Sequence, residues 1–355
     1  MTMQLLKKIC ETPGISGYES QIASLLKKEF EGICDEIKTD CLDNVIAIKR
    51  PAKGKPEENR MKIMLAAHMD QIGFLVKSID KNGFIRFARI GGFDPKTLVA
   101  QRVIVHGEKD IIGVIGSKPI HVIEEAEKKK APDMRDFYID TGLTKEELEN
   151  LVQPGDYITF DRDFVLMNGK TITSLALDNR VGVYVIIEAL KRVKNHQVDI
   201  YAVATSQEEV GLRGAVISSY NIEPDIGIAL DVTIAMDTPG IREEERGCTL
   251  GKGTSIAVLN SSMIAHRGLF GYLKKLAEEN NIPYQVDVME RGGTDAGSIQ
   301  KSRKGVITGG ISIPSRYLHS VVEMCHRDDI ESTIQLLVCF LENIHQAEFL
   351  QQCNL

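Results

Sequence analysis

The sequence predicts an α/β fold interrupted by a β-rich insertion. Two apolar runs, Ile200–Ala204 and Ile226–Leu230, have the length and composition of buried strands in an α/β sheet. Residues Asn179–Val193 follow a helical pattern that is apolar on most sides, which is typical of a largely buried helix. Between the first part of the chain and that helix, residues 71–164 change to short alternating strands.

The first part of the chain is predicted to hold two helices and two strands. The breaker PGISG separates the helices, which we expect over Thr2–Glu11 and Glu19–Phe30. The strands are expected at Asn44–Lys49 and Met61–Ala67, with the loop PAKGKPEENR exposed between them.

The middle of the chain carries the signals of a small β domain. Asn82 and Gly83 form a hairpin turn signal between two alternating runs, IGFLVKSI and FIRFARI. One segment, TKEELENL, is predicted to be helical instead, because Thr144 and Glu147 form a capping-box pattern. The lysine run Lys128–Lys130 is interpreted as a solvated surface loop.

These patterns divide the chain into an α/β domain, residues 1–70 plus 165–355, and a β-rich domain, residues 71–164, which is inserted into it. After the insertion the α/β pattern returns. The further elements expected there are strands at Thr254–Leu259, Tyr284–Val288 and Gly305–Thr308, and helices over Ile264–Glu279 and from about Asp329 to His345.

Composition excludes several classes of partner. The net charge of −7 and the lack of a basic stripe argue against nucleic acid and anionic membranes. The seven cysteines contain no C-x-x-C pair, a pattern that fits reduced thiols in a cytoplasm. No apolar run approaches the roughly 20 residues needed to span a bilayer, so we expect a cytoplasmic protein.

Five candidate metal ligands lie where periodic segments end: His68, Asp178, Glu209, Asp231 and His319. Imidazole and carboxylate groups suit zinc or a similar divalent ion. Because five protein ligands exceed the usual three of one catalytic zinc, they divide naturally between two ions if one carboxylate bridges them. Asp178 also precedes a helix, where an N-cap is the commoner role for an aspartate.

Two further acids are candidates for catalysis. Asp70 lies two residues after His68, so it can accept the second imidazole N–H and fix the tautomer of that ligand. Glu208 and Glu209 diverge if both are extended, so that one can bind a metal while the other acts as a general base. The other histidines are interpreted as structural or surface residues: His106, His121, His196, His266, His326 and His345.

Competing catalytic motifs are absent from the sequence. There is no G-x-S-x-G elbow, no P-loop, and no G-x-G-x-x-G after a strand. GGTDAG is a glycine loop that opens a helix. Such a loop can bind an anion, but the pattern is not specific for that role.

Taken together, seven ordered segments resemble the tetrahedral (TET-type) dinuclear metallo-aminopeptidases, the glutamyl and deblocking aminopeptidase group, some members of which are labelled endoglucanases. The segments run from Pro13 to Glu323 and are PGISGYE, AAHMDQIGFLV, LALDNRVG, TSQEEVGLRGA, GIALDV, GGTDAGSI and IPSRYLHSVVE. Each is weak alone, but the ordered set is specific and covers essentially the whole chain.

The resemblance implies a role for each ligand. Asp178 bridges two divalent ions, most readily zinc or cobalt. The remaining ligands then divide into two pairs: His68 and Asp231 on one ion, and Glu209 and His319 on the other.

The resemblance also assigns the acids around these ligands. Glu208 is the general base, Asp70 is the partner of His68, and the peptide bond after Asp178 is cis. Gln71 departs from the glutamate expected in many relatives, and we expect it to alter the tuning of the site without removing it.

The implied fold is a zinc-exopeptidase-like catalytic domain with a mixed sheet, and the insertion is a small β-barrel that mediates dimerisation. Dimers of the family assemble into a tetrahedral homododecamer. The implied reaction is peptide degradation by hydrolysis of N-terminal residues from short peptides with a free N-terminus, through a water that bridges the metals.

Three alternatives stay open at this stage. One is another amide hydrolysis on the same scaffold, either acyl-amino-acid deacylation or carboxypeptidase action. A second is an endoglucanase, which needs two carboxylates and no metal. A third is a metal-binding assembly protein without catalytic activity.

Overall fold

The computed structural model describes residues 3–52, 60–122 and 132–352. The helices are α1 Gln4–Glu11, α2 Ser20–Phe30, α3 Lys145–Glu149, α4 Leu177–Arg192, α5 Arg213–Ile222, α6 Arg267–Glu279, α7 Ala296–Gln300, α8 Arg327–Asn343 and α9 Phe349–Gln352. The strands are β1 Glu36–Thr39, β2 Val45–Lys49, β3 Lys62–His68, β4 Gly73–Ile79, β5 Ile85–Ile90, β6 Arg102–His106, β7 Asp110–Gly116, β8 Tyr138–Asp140, β9 Tyr157–Phe160, β10 Val165–Leu166, β11 Thr171–Ser174, β12 Asp199–Thr205, β13 Ile226–Ile234, β14 Thr254–Leu259, β15 Tyr284–Val288, β16 Ile307–Arg316 and β17 Glu323–His326. The predicted loop Lys128–Lys130 and most of PAKGKPEENR lie outside the described residues.

The main sheet is mixed, as predicted. Its strand order is β1-β2-β12-β3-β13-β16-β17-β11-β10, with β14 paired to β16 and β15 paired to β14. The central strands β12, β3, β13 and β16 run parallel, whereas β2 and β17 join them antiparallel. In a parallel arrangement the carboxyl ends of neighbouring strands meet at one edge, where ligands commonly bind.

Helix α4 is the core helix that the sequence predicts. Every residue from Leu177 to Leu190 is buried except Glu188. It packs against α1, α8, β3 and β13, so apolar side chains cover nearly its whole circumference. This burial fixes the start of α4, which carries Asp178, firmly against the sheet.

Strands β4, β5, β8, β7, β6 and β9 close into a six-stranded antiparallel barrel. The barrel core includes Phe74, Val103, Ile139 and Phe160, all buried. The hairpin predicted at Asn82-Gly83 joins β4 to β5, and the predicted capping box caps α3.

The predicted end of one strand is wrong. The sequence places Asp231 after a strand that ends at Leu230, but β13 continues through Asp231 to Ile234. The pairing explains the difference, because β16 accompanies β13 over its full length while the pairing of β13 with β3 ends at Ala229. Asp231 therefore lies inside a strand, two residues beyond the last pairing of that strand with β3.

The strand predicted at Gly305–Thr308 is also placed too early and made too short. The observed strand β16 spans Ile307–Arg316. Gly309 and Gly310 weaken the local strand signal, yet a side chain at these positions would press on Leu269 and Ala257. Pairing with β13 on one side and β14 on the other holds this stretch extended.

Two composition-based expectations concern the whole chain. Among residues 3–52, 60–122 and 132–352, no helix has both the length and the apolarity to cross a membrane. In the same part of the chain the cysteines are free thiols: Cys10, Cys34, Cys41, Cys248, Cys325 and Cys339.

Candidate metal centre

The candidate site lies at the carboxyl edge of the parallel strands. His68 ends β3 and is paired with Thr205, the last residue of β12. Asp231 comes two residues after Ala229, which pairs with Ala66 on the other side of β3. The sheet therefore brings His68, Asp231 and the turn that follows Thr205 to a common edge.

His68 is surrounded by carboxylates from three segments. Its Nε2 atom lies 3.0 Å from Oδ1 of Asp178, 3.8 Å from Oε2 of Glu208 and 3.9 Å from Oδ1 of Asp231. The candidate ligand atoms form two overlapping groups within which all lie within 4.8 Å of one another: His68, Asp178 and Glu209, and His68, Glu208 and Asp231.

His319 approaches from the opposite side. Its Nε2 atom lies 3.4 Å from Oδ2 of Asp178 and 3.5 Å from Oε2 of Glu209. Asp178 thus faces His68 with one oxygen and His319 with the other. The structure brings all five predicted ligands together in one cluster.

Local backbone geometry directs Asp178 into the cluster. Asp178 and Asn179 have non-helical torsion angles although they lie in the first turn of α4. Their peptide bond is cis, as the resemblance implies. The N-cap residue of α4 is Ala176 and not Asp178, and the carboxylate of Asp178 faces the two imidazoles. Asn179 donates its Nδ2 proton to the carbonyl of Leu230. The commoner N-cap role is therefore not the one seen.

Asp70 contacts both His68 and the glutamate pair. His68 Nδ1 lies 3.1 Å from the backbone oxygen of Asp70 and 3.6 Å from its Oδ1. The carboxylate accepts hydrogen bonds from the Ser16 hydroxyl and from the backbone N–H groups of Glu208 and Glu209. The fully buried Asp70 therefore fixes the turn that carries the predicted base.

Burial and neighbouring charges shift the pKa values of the acids and histidines of the site in different directions. Burial raises the pKa of both Glu208 and Asp231 well above the usual range, and the charge of His68 opposes it only in part. Burial also raises the pKa of Glu209 to about 7. For Asp178, burial is outweighed by His319 and His68, which hold its pKa well below the usual value.

The neighbouring carboxylates also shift the pKa values of the two imidazoles. Burial alone would lower the pKa of His68, but Glu208, Asp178 and Asp70 outweigh it and hold this pKa well above its usual value. A hydrogen bond to Asp178 raises the pKa of His319 to about 10. The space between these carboxylates therefore strongly favours positive charge.

The donor set fits divalent cations. It consists of imidazole nitrogens and carboxylate oxygens, which suit zinc, cobalt and manganese. Several buried carboxylates within a few ångström of one another are costly without positive charge between them. The chemistry of the residues present therefore matches a metal centre.

The barrel contributes one wall of the cluster. Gly91 and Gly92 follow β5, and a Cβ atom at Gly91 would lie 3.4 Å from Oε2 of Glu209. A Cβ atom at Gly92 would lie 3.0 Å from Nδ1 of His319. No side chain other than glycine fits here without displacing the neighbouring groups.

A buried arginine connects the start of α4 with the N-terminal segment. Arg180 is completely buried and donates to the carbonyls of Ile9, Thr12 and Gly14 at 2.7, 3.1 and 3.3 Å. Burial lowers its pKa to about 10. Positive charge is thereby kept two residues after Asp178.

Sequence reasoning missed several residues of the site. Ser16 and Glu323 form hydrogen bonds to site residues from distant parts of the chain, and Glu19 accepts the backbone N–H of Gln207. Asp295, in the GGTDAG loop, accepts a hydrogen bond from Thr205 and has a second oxygen, Oδ1, buried without a partner. Each lies in a segment used for the resemblance, but no spacing rule connects them.

The mixed sheet and the closed barrel form a zinc-exopeptidase-like fold, and the histidine–carboxylate cluster at the sheet edge is a candidate metal site within it. A profile described as M42 glutamyl aminopeptidase matches residues 44–336. The chain belongs to this family, and the protein is a peptide hydrolase, an aminopeptidase.

Individual relatives agree with this assignment. The lysyl aminopeptidase of Pyrococcus furiosus is 38% identical over 98% of both chains. The TET aminopeptidase of the marine sediment archaeon Thaumarchaeota archaeon SCGC AB-539-E09 is 37% identical, with a TM-score of 0.92 over 96% of each chain. The TET1 peptidase of Pyrococcus horikoshii, described as assembling into a tetrahedron or a large octahedral shell, is 33% identical, with a TM-score of 0.83 over 96% of this chain and 98% of that one.

Proposed function

We propose that this aminopeptidase uses two divalent metal ions to remove N-terminal residues from short peptides in the cytoplasm. The observation that carries the proposal is the position of Asp178, which faces two imidazoles with separate oxygens. A carboxylate so placed is suited to bridge two ions. Free thiols throughout the described part of the chain are typical of proteins in a reducing compartment.

The remaining ligands divide on either side of Asp178. We assign His68 and Asp231 to one ion, because their ligand atoms lie 3.9 Å apart. Glu209 and His319 are assigned to the other ion, because their ligand atoms lie 3.5 Å apart. Zinc or cobalt is the proposed metal, since both accept this mixture of nitrogen and oxygen donors.

Glu208 is the proposed general base. Its Oε2 atom lies 3.8 Å from Nε2 of His68, whereas Nε2 of His319 lies 3.5 Å from Oε2 of Glu209. The backbone N–H groups of Glu208 and Glu209 both donate to Asp70. The two glutamate side chains therefore extend from the same turn in fixed directions. Glu208 is thereby free to accept a proton, while Glu209 serves as ligand.

The reaction follows from these positions. When bound, the two ions would supply an activated water at neutral pH and polarise the scissile carbonyl group. Glu208 would take a proton from the attacking water and return it to the leaving amine. The excess of buried carboxylates would attract the ammonium group of the substrate, and this would favour peptides with a free N-terminus.

We further propose that residues 71–164 act as a dimerisation domain of the catalytic domain formed by 1–70 and 165–355, within a tetrahedral homododecamer. Strand β7 supports an interface on the barrel, because Ile112 and Val114 point outward and are 61% and 42% exposed. Apolar side chains exposed on a barrel surface are typical of contact sites. The mass of the assembly, measured by multi-angle light scattering, tests this proposal: a stable monomer would contradict it.

Digestion of a mixed peptide pool tests the proposed activity. Each peptide is supplied with a free and with an acetylated N-terminus, with and without chelator, and products are identified by mass spectrometry. We expect stepwise loss of N-terminal residues from free-amine peptides alone, abolished by chelator and restored by Zn²⁺ or Co²⁺. Deacetylation, C-terminal trimming or chelator-resistant cleavage would each contradict the proposal.

A further inference from the structure

Glu323 connects two of the assigned metal ligands. Its Oε2 atom accepts the backbone N–H of Asp178 at 2.8 Å, and its Oε1 atom accepts the backbone N–H of His319 at 3.0 Å. Glu323 is 2% exposed and begins β17, where it pairs with Ser174 of β11. One buried carboxylate thus holds two segments that are far apart in the sequence.

Both segments need such an anchor, because neither is regular. Ala176 has a φ of 59° just before Asp178, and Tyr317 and His319 have φ values of 61° and 56°. The left-handed region costs an ordinary residue about 1 kcal/mol or more. The hydrogen bond from the His319 N–H to Oε1 of Glu323 helps to offset this cost.

We propose that Glu323 is a positioning residue that sets the distance between Asp178 and His319, and through it the affinity for metal. This inference rests on the proposed function, since it concerns the same metal centre. Both oxygens of Glu323 accept hydrogen bonds from the backbone N–H groups of ligand residues. It acts only through the two ligands.

Glu323→Gln tests the proposal with little change in shape. The carboxamide offers one oxygen acceptor, and its NH₂ group must face the other N–H donor. One of the two ligand segments therefore loses its anchor. Groups that orient metal ligands typically contribute about 10- to 100-fold to metal affinity, so we expect a loss of that size.

Asp329 provides a matched control. It is also buried, and it accepts two backbone N–H groups, from Gly251 and Gly253, each at 2.7 Å. The loop that donates these two hydrogen bonds carries no candidate ligand. Asp329→Asn therefore also turns an NH₂ group toward a backbone N–H donor in the core, but at a place outside the metal centre. We expect it to leave metal affinity unchanged.

The experiment compares the full-length wild type, Glu323→Gln and Asp329→Asn after metal removal. Zn²⁺ affinity is measured by competition with a chromophoric chelator, and the visible spectrum is recorded with Co²⁺. We expect weaker Zn²⁺ binding and an altered Co²⁺ spectrum in Glu323→Gln alone, with peptide hydrolysis largely restored by excess metal. Equal affinities and spectra in the two variants would overturn the inference while leaving the proposed function intact.

Hydrogen exchange of the wild type keeps the test decisive if Glu323→Gln does not fold. The amides of Asp178 and His319 should be protected in metal-free protein, because Glu323 holds them without help from an ion. Rapid exchange of both amides before metal is added would overturn the inference. If the wild type binds no metal at all, the proposed function fails, and the inference that rests on it fails as well.

Discussion

The backbone N–H of Glu208 donates to Oδ1 of Asp70 at 3.0 Å. The next N–H, of Glu209, donates to Oδ2 of the same carboxylate at 3.2 Å. The residue that follows His68 by two positions therefore fixes the turn bearing the proposed base and one proposed ligand. Two hydrogen bonds thus join the end of β3 to the turn after β12.

Asp70→Asn should weaken catalysis through that turn. An asparagine has one acceptor oxygen, so its NH₂ group would oppose one of the backbone donors. We expect kcat to fall about 10- to 100-fold, the usual range for groups that orient a metal site. Steady-state kinetics at saturating metal measures the change. Ser16→Ala removes only one donor to Asp70 and should cost less; an Asp70→Asn enzyme with wild-type kcat would contradict this view.

The two adjacent glutamates should separate by function. Glu208→Gln is expected to retain both metals and lose about 10²- to 10⁴-fold in kcat, the range of general acid–base catalysis. Glu209→Gln should lose metal, because Glu209 is assigned as a ligand. Elemental analysis of the purified variants, combined with peptide hydrolysis rates, measures both effects. Near-normal turnover in a metal-replete Glu208→Gln enzyme would refute the role of the base.

Gly92→Ala should disturb His319. The new Cβ atom would lie 3.0 Å from Nδ1 of the imidazole, closer than ordinary packing allows, and the His319 side chain is 42% exposed and can move away. We expect metal affinity to fall by about tenfold, the lower end of the range for groups that orient a ligand. Competition titration with Zn²⁺ measures it.

Gly271→Ala is the matched control for Gly92→Ala. Gly271 lies in α6 and has open space around its Cβ position, so alanine should be neutral or stabilise the helix by up to about 1 kcal/mol. Equal metal affinity in the two alanine variants would show that Gly92 does not constrain His319.

Asp237 and Arg316 should contribute stability that depends on pH. Arg316 donates Nε and Nη2 protons to the two oxygens of Asp237, each at 2.7 Å, and this lowers the pKa of Asp237. A lowered folded-state pKa means that the contribution is complete above the unfolded value of about 3.9 and is lost as pH falls below it. Asp237→Asn should cost about 1–2 kcal/mol at pH 7.

Denaturant unfolding in chelator at pH 7 and at pH 3 measures this contribution. The difference between wild type and Asp237→Asn should shrink at the lower pH, because pH 3 lies below the unfolded-state pKa of about 3.9 and the unfolded chain then binds a proton at Asp237. A difference that stays constant over this range would assign the effect to something other than the ion pair.

Local patterns predict the elements whose signals are complete within their own residues. The strand Thr254–Leu259, the strand Tyr284–Val288 and the capping box at Thr144 match the structure. Helix α5 and strand β17 were not predicted, because their sequences carry weak periodicity and they form through packing and pairing with distant segments.

The same distinction holds for the site. His68 and Glu209 stand beside apolar strand patterns, so their positions at the sheet edge could be predicted. Glu323 could not, because its role depends on the spatial approach of two loops. Asp231 was recognised as a candidate although the strand around it is longer than expected.

The buried guanidinium of Arg180 has a practical consequence for shortened versions of the protein. Its acceptors are backbone carbonyls supplied by residues 9, 12 and 14. A chain that starts at Ser20 would leave a charge in the interior with none of these partners. N-terminal trimming to Ser20 should therefore yield insoluble protein, whereas a fusion partner placed ahead of residue 3 leaves every one of these acceptors in place.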